Sequence, residues 1–283
     1  MGTGGCEMKK IACIGTGNMG GALAKAACQS PACGPAQVIL ANRTHEKAER
    51  LAKELGCEAA RSNLEAFREA KFVLLGVKPQ MMEGLLRELA PALKESIEKG
   101  ERKILVTMAA GLKSSFYREI LNCGDIPFIR LMPNTPASIG CGMTLVSVSS
   151  SCREEEASEL EALLSAAGSF DRIPEEQMDA AGTLTGCTPA FAYMFIEALA
   201  DGGVMAGIPR KKAQEYAARA VMGAAALVLE SGKHPGLLKD EVCSPGGSTI
   251  VGVHELEEKG FRSAAMNAVL GACEKNRKMG EGK

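Results

Sequence analysis

The residues best suited to chemistry lie in two glycine-rich loops, each ahead of a helical pattern. The first loop places Gly15, Gly17 and Gly20 directly after an apolar strand pattern, "KIACIG" at 10–15. Glycine permits the tight turn at Gly15 and a close approach of the Gly17 backbone to a pyrophosphate, and at Gly20 it lets the helix pack on the strand. A glycine loop between a strand and a helix, with further βα units downstream, predicts a dinucleotide-binding site.

The second loop, "VCSPGGST" at 242–249, precedes an amphipathic helical pattern at 251–259. The first N–H groups of a helix lack intrahelical partners and lie at the positive end of its dipole, so such a start attracts an anion. Two interpretations remain open here. Either the loop binds an anion other than the pyrophosphate, or Ser244 or Ser248 caps the helix and the glycines serve the turn.

The choice of dinucleotide depends on the end of the second predicted strand, "VILAN" at 38–42. An NAD site carries Asp or Glu at this point to bind the ribose 2′-hydroxyl. This chain has Asn42, Arg43 and Thr44 instead. The planar guanidinium of Arg43 suits a 2′-phosphate, and Asn42 and Thr44 can add neutral hydrogen bonds. The sequence therefore predicts NADPH as the cofactor, with NADH used less well.

The first half of the chain has the pattern of a parallel sheet covered by helices. Continuously apolar runs indicate strands that are buried on both faces. The predicted strands are 10–15, 38–42, 72–77, 103–108, 127–132 and 143–148, with helices at His45–Leu55 and Met82–Leu93 among the segments between them. The motifs "GVKPQ" (76–80), "MAAGL" (108–112) and "MPNTPAS" (132–138) follow strands, so we expect them to line the ligand crevice at the carboxyl ends of the sheet.

After Pro174 the pattern becomes helical. The predicted helices are Glu175–Leu184, Pro189–Ala206, Pro209–Leu229, Ser248–Lys259 and Arg262–Lys278. Two of them are apolar over much of their circumference, and about 110 residues of helix can enclose only a thin core alone, so we expect burial against a second subunit. The fold class predicted is α/β: an N-terminal NADP-binding Rossmann domain at 8–173, followed by an all-helical dimerisation domain at 174–283.

Composition excludes several classes of function. A net charge of −1 gives no excess of positive charge for binding nucleic acid or an acidic membrane. No apolar run is long enough to span a bilayer. The eleven cysteines are scattered and form no C-x-x-C pair, while the three histidines stand apart, so we expect free thiols and no metal site. Free thiols and a start without an apolar signal segment predict a cytoplasmic protein.

Several motifs in order resemble the pyrroline-5-carboxylate reductase family from about Lys9 to Asn276. They are "IGTGNMGGALAKA", "NRT", "GVKPQ", "MPNTPA", "ALADGGVMAGIPR", "HPGLLKDEVCSPGGST" and "LEEKGFRSAAMNAV". The last three are more specific than any glycine loop. The resemblance implies an NADPH-binding Rossmann domain and a helical domain that interleaves with that of a second subunit, in dimers that can assemble into rings.

The resemblance also implies roles for individual residues. For the phosphates, it assigns Gly17, Asn18 and Met19 to the pyrophosphate and Asn42, Arg43 and Thr44 to the 2′-phosphate. It places Asn63 and the turn Val77, Lys78, Pro79 at the flank of the nucleotide, and Ala110, Gly111 and Asn134 on the nicotinamide side. It assigns Ser244, Gly246, Gly247, Ser248 and Thr249 to the substrate loop. The chain departs from the family at "GCTPAF", where Cys187, Thr188 and Phe191 replace Ser, Gly and Tyr. The hydroxyl and phenol contacts of that loop do not carry over, but we expect a helix to begin at Pro189.

The reaction implied is hydride transfer from NADPH to the imine carbon of a cyclic imine carboxylate, giving proline. Protonation of the imine nitrogen already activates this carbon, so the protein must chiefly supply orientation. Thr249 is the candidate for a hydrogen bond near the ring nitrogen and for the catalytic role. The histidines are expected to be structural: His45 at a helix start, His234 in a turn and His254 in packing.

Three alternatives remain. A reductase for another cyclic imine would share these motifs, and the sequence leaves the preferred ring size open. A β-hydroxyacid-type dehydrogenase would need a catalytic lysine in the first long helix of the second half, and residues 191–203 contain none. An NADPH-sensing protein without turnover would need a reading or adaptor segment, and no motif of that kind is present.

Overall fold

An eight-stranded sheet forms the centre of the first half of the chain. The computed structural model describes residues 8–281 apart from 110, 123 and 125, with side chains as far as residue 278. Within this part the strands are β1 (Lys9–Ile14), β2 (Val38–Ala41), β3 (Glu58–Ala59), β4 (Ala70–Leu75), β5 (Ile104–Thr107), β6 (Phe128–Met132), β7 (Gly142–Val148) and β8 (Gly168–Arg172). The six predicted strands are confirmed to within two residues at either end.

The sheet order is β3-β2-β1-β4-β5-β6-β7-β8, and every neighbouring pair is parallel except β6 and β7. The strand order reverses at β1, because β2 lies on one side of it and β4 on the other. In open α/β sheets ligands bind outside the carboxyl ends of the strands at such a reversal. The fold therefore directs attention to the loops that follow β1, β2 and β4.

Eleven helices are present in the described residues. They are α1 (Asn18–Gln29), α2 (His45–Leu55), α3 (Asn63–Glu69), α4 (Pro79–Glu98), α5 (Ser114–Leu121), α6 (Glu154–Leu163), α7 (Met178–Met205), α8 (Arg210–Ser231), α9 (Pro235–Val242), α10 (Ser248–Glu258) and α11 (Phe261–Glu281). Helices α1 and α6 contribute to one apolar layer against the sheet, and α3, α4 and α5 to the other. The expectation of a sheet buried on both faces is confirmed.

The prediction of separate helices at 175–184 and 189–206 is wrong. Helix α7 is continuous through Pro189. Proline has no N–H to bond to the carbonyl four residues earlier, which here is that of Thr185. Asn134 Nδ2 donates to that carbonyl at 3.1 Å and takes the place of the missing bond. No helix begins at Pro189, and the start is at Met178.

Within the described residues the chain divides into two compact units, 8–186 with 275–281, and 187–274. The predicted domain limit at 173/174 differs from this division because the first turns of α7 pack in the first unit. Met178 is fully buried there, and Arg130 Nη2 donates to Asp179 Oδ1 at 2.9 Å. The end of α11 also belongs to the first unit, where Asn276 Nδ2 donates to Thr183 Oγ1 at 2.8 Å.

The second unit buries few of its own apolar side chains. In its described residues the buried apolar cluster consists of Ala200, Ala213 and Ala217. Large apolar side chains are instead exposed, including Met194 (70%), Met205 (90%) and Leu229 (83%). Nonetheless, none of the helices in the described ranges has both the length and the apolarity that a bilayer crossing requires.

Candidate active site

The first glycine loop is fixed by close backbone packing at the carboxyl ends of β1 and β4. Gly15 has a φ of +99°, and a Cβ there would lie 2.7 Å from the Gly76 carbonyl carbon. A Cβ on Gly20 would overlap the Gly15 carbonyl oxygen, and one on Gly76 would lie 2.5 Å from that same oxygen. Three glycines therefore let the two strand ends and helix α1 meet. The sequence identified the roles of Gly15 and Gly20, but it placed Gly76 inside the predicted strand 72–77 and did not reveal that Gly76 packs against Gly15.

Beyond these contacts the start of α1 is open. Gly17 is the N-cap residue and is exposed, and a Cβ on it would meet nothing within 4 Å. No side chain caps this helix start, and its first turn, which includes Asn18 and Met19, contains no acidic residue. Unpaired N–H groups and the positive end of the helix dipole therefore face open space. This arrangement fits the pyrophosphate of a dinucleotide, as the spacing predicted.

The turn after β2 is held against the glycine loop by Asn42. Its Oδ1 accepts from the Thr16 N–H at 3.4 Å, and its Nδ2 donates to the Thr44 carbonyl oxygen at 3.1 Å. Arg43 and Thr44 are exposed, and no acidic residue interrupts the segment 42–44. The structure therefore places this turn beside the first loop, and the Arg43 side chain lies outside the packed core. Asn42 has a fixed backbone-bridging role that the sequence did not indicate.

The turn after β4 and the start of α3 flank the same edge. Lys78 is exposed and precedes Pro79, the first residue of α4, while Val77 is half-buried. Asn63 begins α3, and its Nδ2 donates to Glu88 Oε2 of α4 at 3.0 Å. Asn63 therefore links the start of α3 to the middle of α4.

The segment after β5 is positioned by a buried hydroxyl pair. Tyr117 OH and Thr107 Oγ1 lie 2.6 Å apart, and Thr107 Oγ1 also accepts from the Ala109 N–H at 3.3 Å. Burial raises the pKa of Tyr117 to about 12, so its phenol keeps its proton and can donate. Gly111 follows with a φ of +74°, and Ala110 lies outside the described residues. The sequence missed Thr107 and Tyr117 because their contact joins a strand end to a later helix.

Asn134, after β6, has both ends of its amide engaged. Its Oδ1 accepts from the Met143 N–H at 2.9 Å, and its Nδ2 donates to the Thr185 carbonyl oxygen, as described for α7. The residue therefore connects β6, β7 and the start of α7. Its orientation is fixed by the protein itself.

The second glycine loop lies in the second unit. Gly247 is the N-cap residue of α10, and no side chain caps this start or places an acid in its first turn. Gly246 has a φ of +69°, and the Gly247 N–H donates to the Ser244 carbonyl oxygen at 3.0 Å. Ser248 and Thr249 are the first two helical residues and are exposed. The side-chain cap that the sequence left open, through Ser244 or Ser248, is not formed.

Two of the histidines have structural surroundings. His234 Nδ1 accepts from the Gly236 N–H at 3.1 Å and caps α9. His45 is the first residue of α2, and its Nε2 lies 3.1 Å from Glu49 Oε1. His254 is exposed on α10. Over the residues described, no three His, Cys, Asp or Glu side chains are grouped so that they could hold a metal ion.

Comparison with known proteins assigns both halves of the chain. The family model for pyrroline-5-carboxylate reductase dimerisation matches residues 175–279, and a model described as NADP oxidoreductase, coenzyme F420-dependent, matches residues 10–111. The pyrroline-5-carboxylate reductase of Glycine max is 38% identical over 96% of this chain and 97% of its own. That of Escherichia coli K12 is 38% identical over 96% of this chain and 98% of its own.

A solved structure agrees with these matches. The pyrroline carboxylate reductase of Plasmodium falciparum, determined with NADP bound, has a TM-score of 0.84 to this fold at 28% identity and covers 98% of this chain and 100% of its own. The predicted order of a Rossmann domain and a helical dimerisation domain is confirmed. Since the similarity extends through both glycine loops, the chain belongs to the pyrroline-5-carboxylate reductase family.

Proposed function

We propose that this protein reduces 1-pyrroline-5-carboxylate to L-proline with NADPH, the last step of proline biosynthesis. The observation that carries the proposal is the identity of 38% to reductases of that name over nearly the whole of both chains. An NADPH sensor without turnover would not require a second helix start, at α10, that lacks both a capping side chain and an acid.

At the phosphate end, the N–H groups of the α1 start bind the pyrophosphate through Gly17, Asn18 and Met19, while Gly15 and Gly20 let the loop close. The open space at Gly17 supports this role. Arg43 and Thr44 hold the 2′-phosphate, and Asn42 orients them through its bonds to Thr16 and Thr44. A 2′-hydroxyl offers no charge to Arg43, so NADH is used less well.

Asn63 and the turn Val77, Lys78, Pro79 after β4 are proposed to flank the nucleotide. Toward the nicotinamide, the proposed contacts are Ala110 and Gly111 after β5 and Asn134 after β6. The Thr107–Tyr117 pair and the two bonds of Asn134 support this, because they fix the segments on which the nicotinamide would rest. When bound, the dinucleotide supplies the hydride.

The substrate's carboxylate binds at the start of α10. The proposed contacts are the N–H groups of Gly246, Ser248 and Thr249 and the hydroxyl of Ser244, in a loop that Gly247 closes through its own bond to the Ser244 carbonyl oxygen. The absence of a capping side chain and of an acid at this start supports them. Thr249 places its hydroxyl near the ring nitrogen of the imine. The imine carbon is thereby held for hydride attack, which is an orientation effect.

The proposed working form is a homo-oligomer built from dimers, with a ring of dimers as its larger form and the cytoplasm as its location. The exposed apolar side chains of the second unit and the match of residues 175–279 to a dimerisation model support the dimer. Light scattering at micromolar concentration should give at least twice the mass of one chain. A stable monomer would contradict the proposal.

The activity is tested with three substrate types: NADPH oxidation is followed with pyrroline-5-carboxylate, with the six-membered piperideine-6-carboxylate and with simple ketoacids, and NADP⁺ reduction is followed with simple hydroxyacids. We expect the highest kcat/KM with the five-membered imine. Preference for the six-membered ring would mean that the substrate is another cyclic imine. Turnover of hydroxyacids alone would overturn the proposed reaction. Tight NADPH binding without turnover of any substrate would favour the sensor.

A further inference from the structure

Helix α5 is capped by a residue from a distant segment. Its N-cap residue is Lys113, whose ammonium group has no lone pair with which to accept a hydrogen bond. Glu175, 61 residues after Ser114 and between β8 and α7, takes that place: its Oε1 accepts from the Ser114 N–H at 2.7 Å, and its Oε2 accepts from Ser114 Oγ at 2.6 Å. The negative charge also suits the positive end of the helix dipole. Both carboxylate oxygens of Glu175 therefore fix the start of α5.

The Glu175 carboxylate lies beside a buried arginine. The Arg130 side chain, on β6, is only 2% exposed, and its Nη1 lies 3.7 Å from Glu175 Oε1. Its Nη2 donates to Asp179 in the first turn of α7. A buried cation requires opposite charge close by, so Arg130 draws both carboxylates to one place. The N–H and the hydroxyl of Ser114 both bond to Glu175, so Glu175 is the member of this ion cluster that reaches α5.

The segment between β5 and α5 is thereby anchored at both of its ends. At the β5 end, Thr107 Oγ1 pairs with the buried hydroxyl of Tyr117. At the α5 end, Ser114 is held by Glu175. Gly111 lies between the two anchors. Because Tyr117 is about one turn of α5 beyond Ser114, a shift of the helix start would disturb both anchors together.

We propose that Glu175 is a positioning residue for the nicotinamide side of the site, a role that rests on the proposed function. It acts through Ser114, because the capped start of α5 holds Gly111 where the nicotinamide would rest. The proposed phosphate contacts belong to the start of α1 and the turn at 42–44, so NADPH still binds without Glu175 while its ring is held less well. A misplacement of about 1 Å in the reacting groups can lower a rate on the order of 100-fold.

The anchoring is tested without turnover. Amide hydrogen exchange is followed on the full-length protein without added dinucleotide, in the wild type, in Glu175→Ala and in Glu176→Ala. Glu176 is the exposed acid next in the chain, so its variant controls for the lost charge. We expect exchange at the Ser114 N–H and the first turn of α5 to become about 10-fold faster in Glu175→Ala alone, with the first glycine loop unchanged. Equal rates at the start of α5 in Glu175→Ala and the wild type would overturn the proposal.

Kinetics separate positioning from stability. Asp179→Ala is the matched control, because it takes the other carboxylate from Arg130 and leaves the Ser114 contacts in place. Both variants should lower the Tm by several degrees. With pyrroline-5-carboxylate, Glu175→Ala should lower kcat about 10- to 100-fold while the Kd for NADPH, from fluorescence titration, stays within about 3-fold. Asp179→Ala should keep kcat within about 2-fold of the wild type.

Rescue and failure are distinguishable. Glu175→Gln keeps an acceptor for the Ser114 N–H, so it should recover most of the lost kcat. Equal losses of kcat in Glu175→Ala and Asp179→Ala, or faster exchange without any loss, would overturn the positioning role and leave the proposed function standing. A wild type that turns over no imine would overturn the proposed function and the role in hydride transfer with it, while the exchange comparison would still decide whether Glu175 anchors Ser114.

Discussion

The starts of α1 and α10 look alike in sequence but are built differently. Both are capped by a glycine, Gly17 in one and Gly247 in the other, and both lack a capping side chain and an acid in the first turn. At α1 the glycines interlock with the backbone of two strand ends. At α10 the nearest neighbour of a Cβ on Gly247 would be Ser244, within the same loop, and a Cβ on Gly246 would meet nothing within 4 Å.

The difference separates two uses of glycine. In the first loop Gly15 and Gly20 are required because a Cβ at either position would clash with neighbouring backbone. This loop is therefore part of the packing of the sheet, and a substitution at these positions would also disturb the fold. In the second loop glycine is required by backbone conformation, at Gly246, and by one local contact, at Gly247. A side chain added at Gly20 should therefore reduce both stability and cofactor binding at α1, whereas loss of the Thr249 side chain at α10 should reduce activity with little change in stability.

The largest effect is expected for Gly20→Ala. The added methyl group would overlap the Gly15 carbonyl oxygen, which is backbone and cannot rotate away. Overpacking of this kind costs about 1–3 kcal/mol, and here it also displaces the proposed phosphate loop. We expect a lower Tm together with a loss of NADPH binding of about 100-fold or more, measured by thermal unfolding and by fluorescence titration.

Gly17→Ala is the matched control for that variant. It adds the same methyl group to the same loop, but in open space. We expect the Tm to change little while NADPH binding weakens, because the methyl group occupies the space proposed for the pyrophosphate. If Gly17→Ala lowered the Tm as much as Gly20→Ala, the first loop would be uniformly packed and the comparison would fail.

The next effect is on the choice of cofactor. Arg43→Asp replaces a charge-assisted contact with repulsion, and hydrogen bonds to charged groups contribute about 1.5–3 kcal/mol. We therefore expect the KM for NADPH to rise about 10- to 100-fold and the preference over NADH to narrow or reverse. Steady-state kinetics with both cofactors measure this. Arg50→Asp, on helix α2 just after the turn that holds Arg43, is the control for net charge and should keep the preference. Equal use of both cofactors by the wild type would remove the basis of the prediction.

At the second loop, Thr249→Ala should lower kcat/KM by about 10- to 100-fold, or about 1.4–2.7 kcal/mol of transition-state stabilisation. Thr249 is exposed at the start of α10 and packs against no core, so the Tm and NADPH affinity should barely change. Thr249→Ser keeps the hydroxyl and should recover most of the activity. A fall in Tm with unchanged kcat/KM per folded molecule would make Thr249 structural.

Sequence patterns predicted the parts of the fold that depend on neighbours in the chain. The strand, glycine loop and helix around Gly15 follow from local apolar periodicity and glycine spacing, and α2 was predicted at its observed bounds, His45–Leu55. The same reasoning could not find β8, because its residues alternate in burial at the end of the sheet. The roles of the predicted site residues stay predictions, supported by position.

Contacts between distant segments account for what the sequence could not reveal. A proline inside a helix removes a local hydrogen bond, so the pattern predicted a break at Pro189, but Asn134 supplies a donor from a loop about fifty residues earlier. The same limit concealed Gly76, whose space is taken by Gly15, and the Thr107–Tyr117 pair. In each case the contact joins residues from separate segments, and no local pattern indicates it.

The smallest effect is expected at Gly246, and it tests whether conformation alone requires this glycine. A φ of +69° is strained for an L-residue by about 1–2 kcal/mol, while a Cβ there would meet nothing within 4 Å. Gly246→Ala should therefore lower the Tm by only a few degrees and kcat/KM by a few-fold, as the loop relaxes away from its anion-binding shape. Asparagine tolerates the left-handed region better than alanine, so Gly246→Asn should recover part of both losses. If alanine and asparagine were equally harmful, a ligand or a second subunit would have to occupy the space beside Gly246, and the second loop would resemble the first after all.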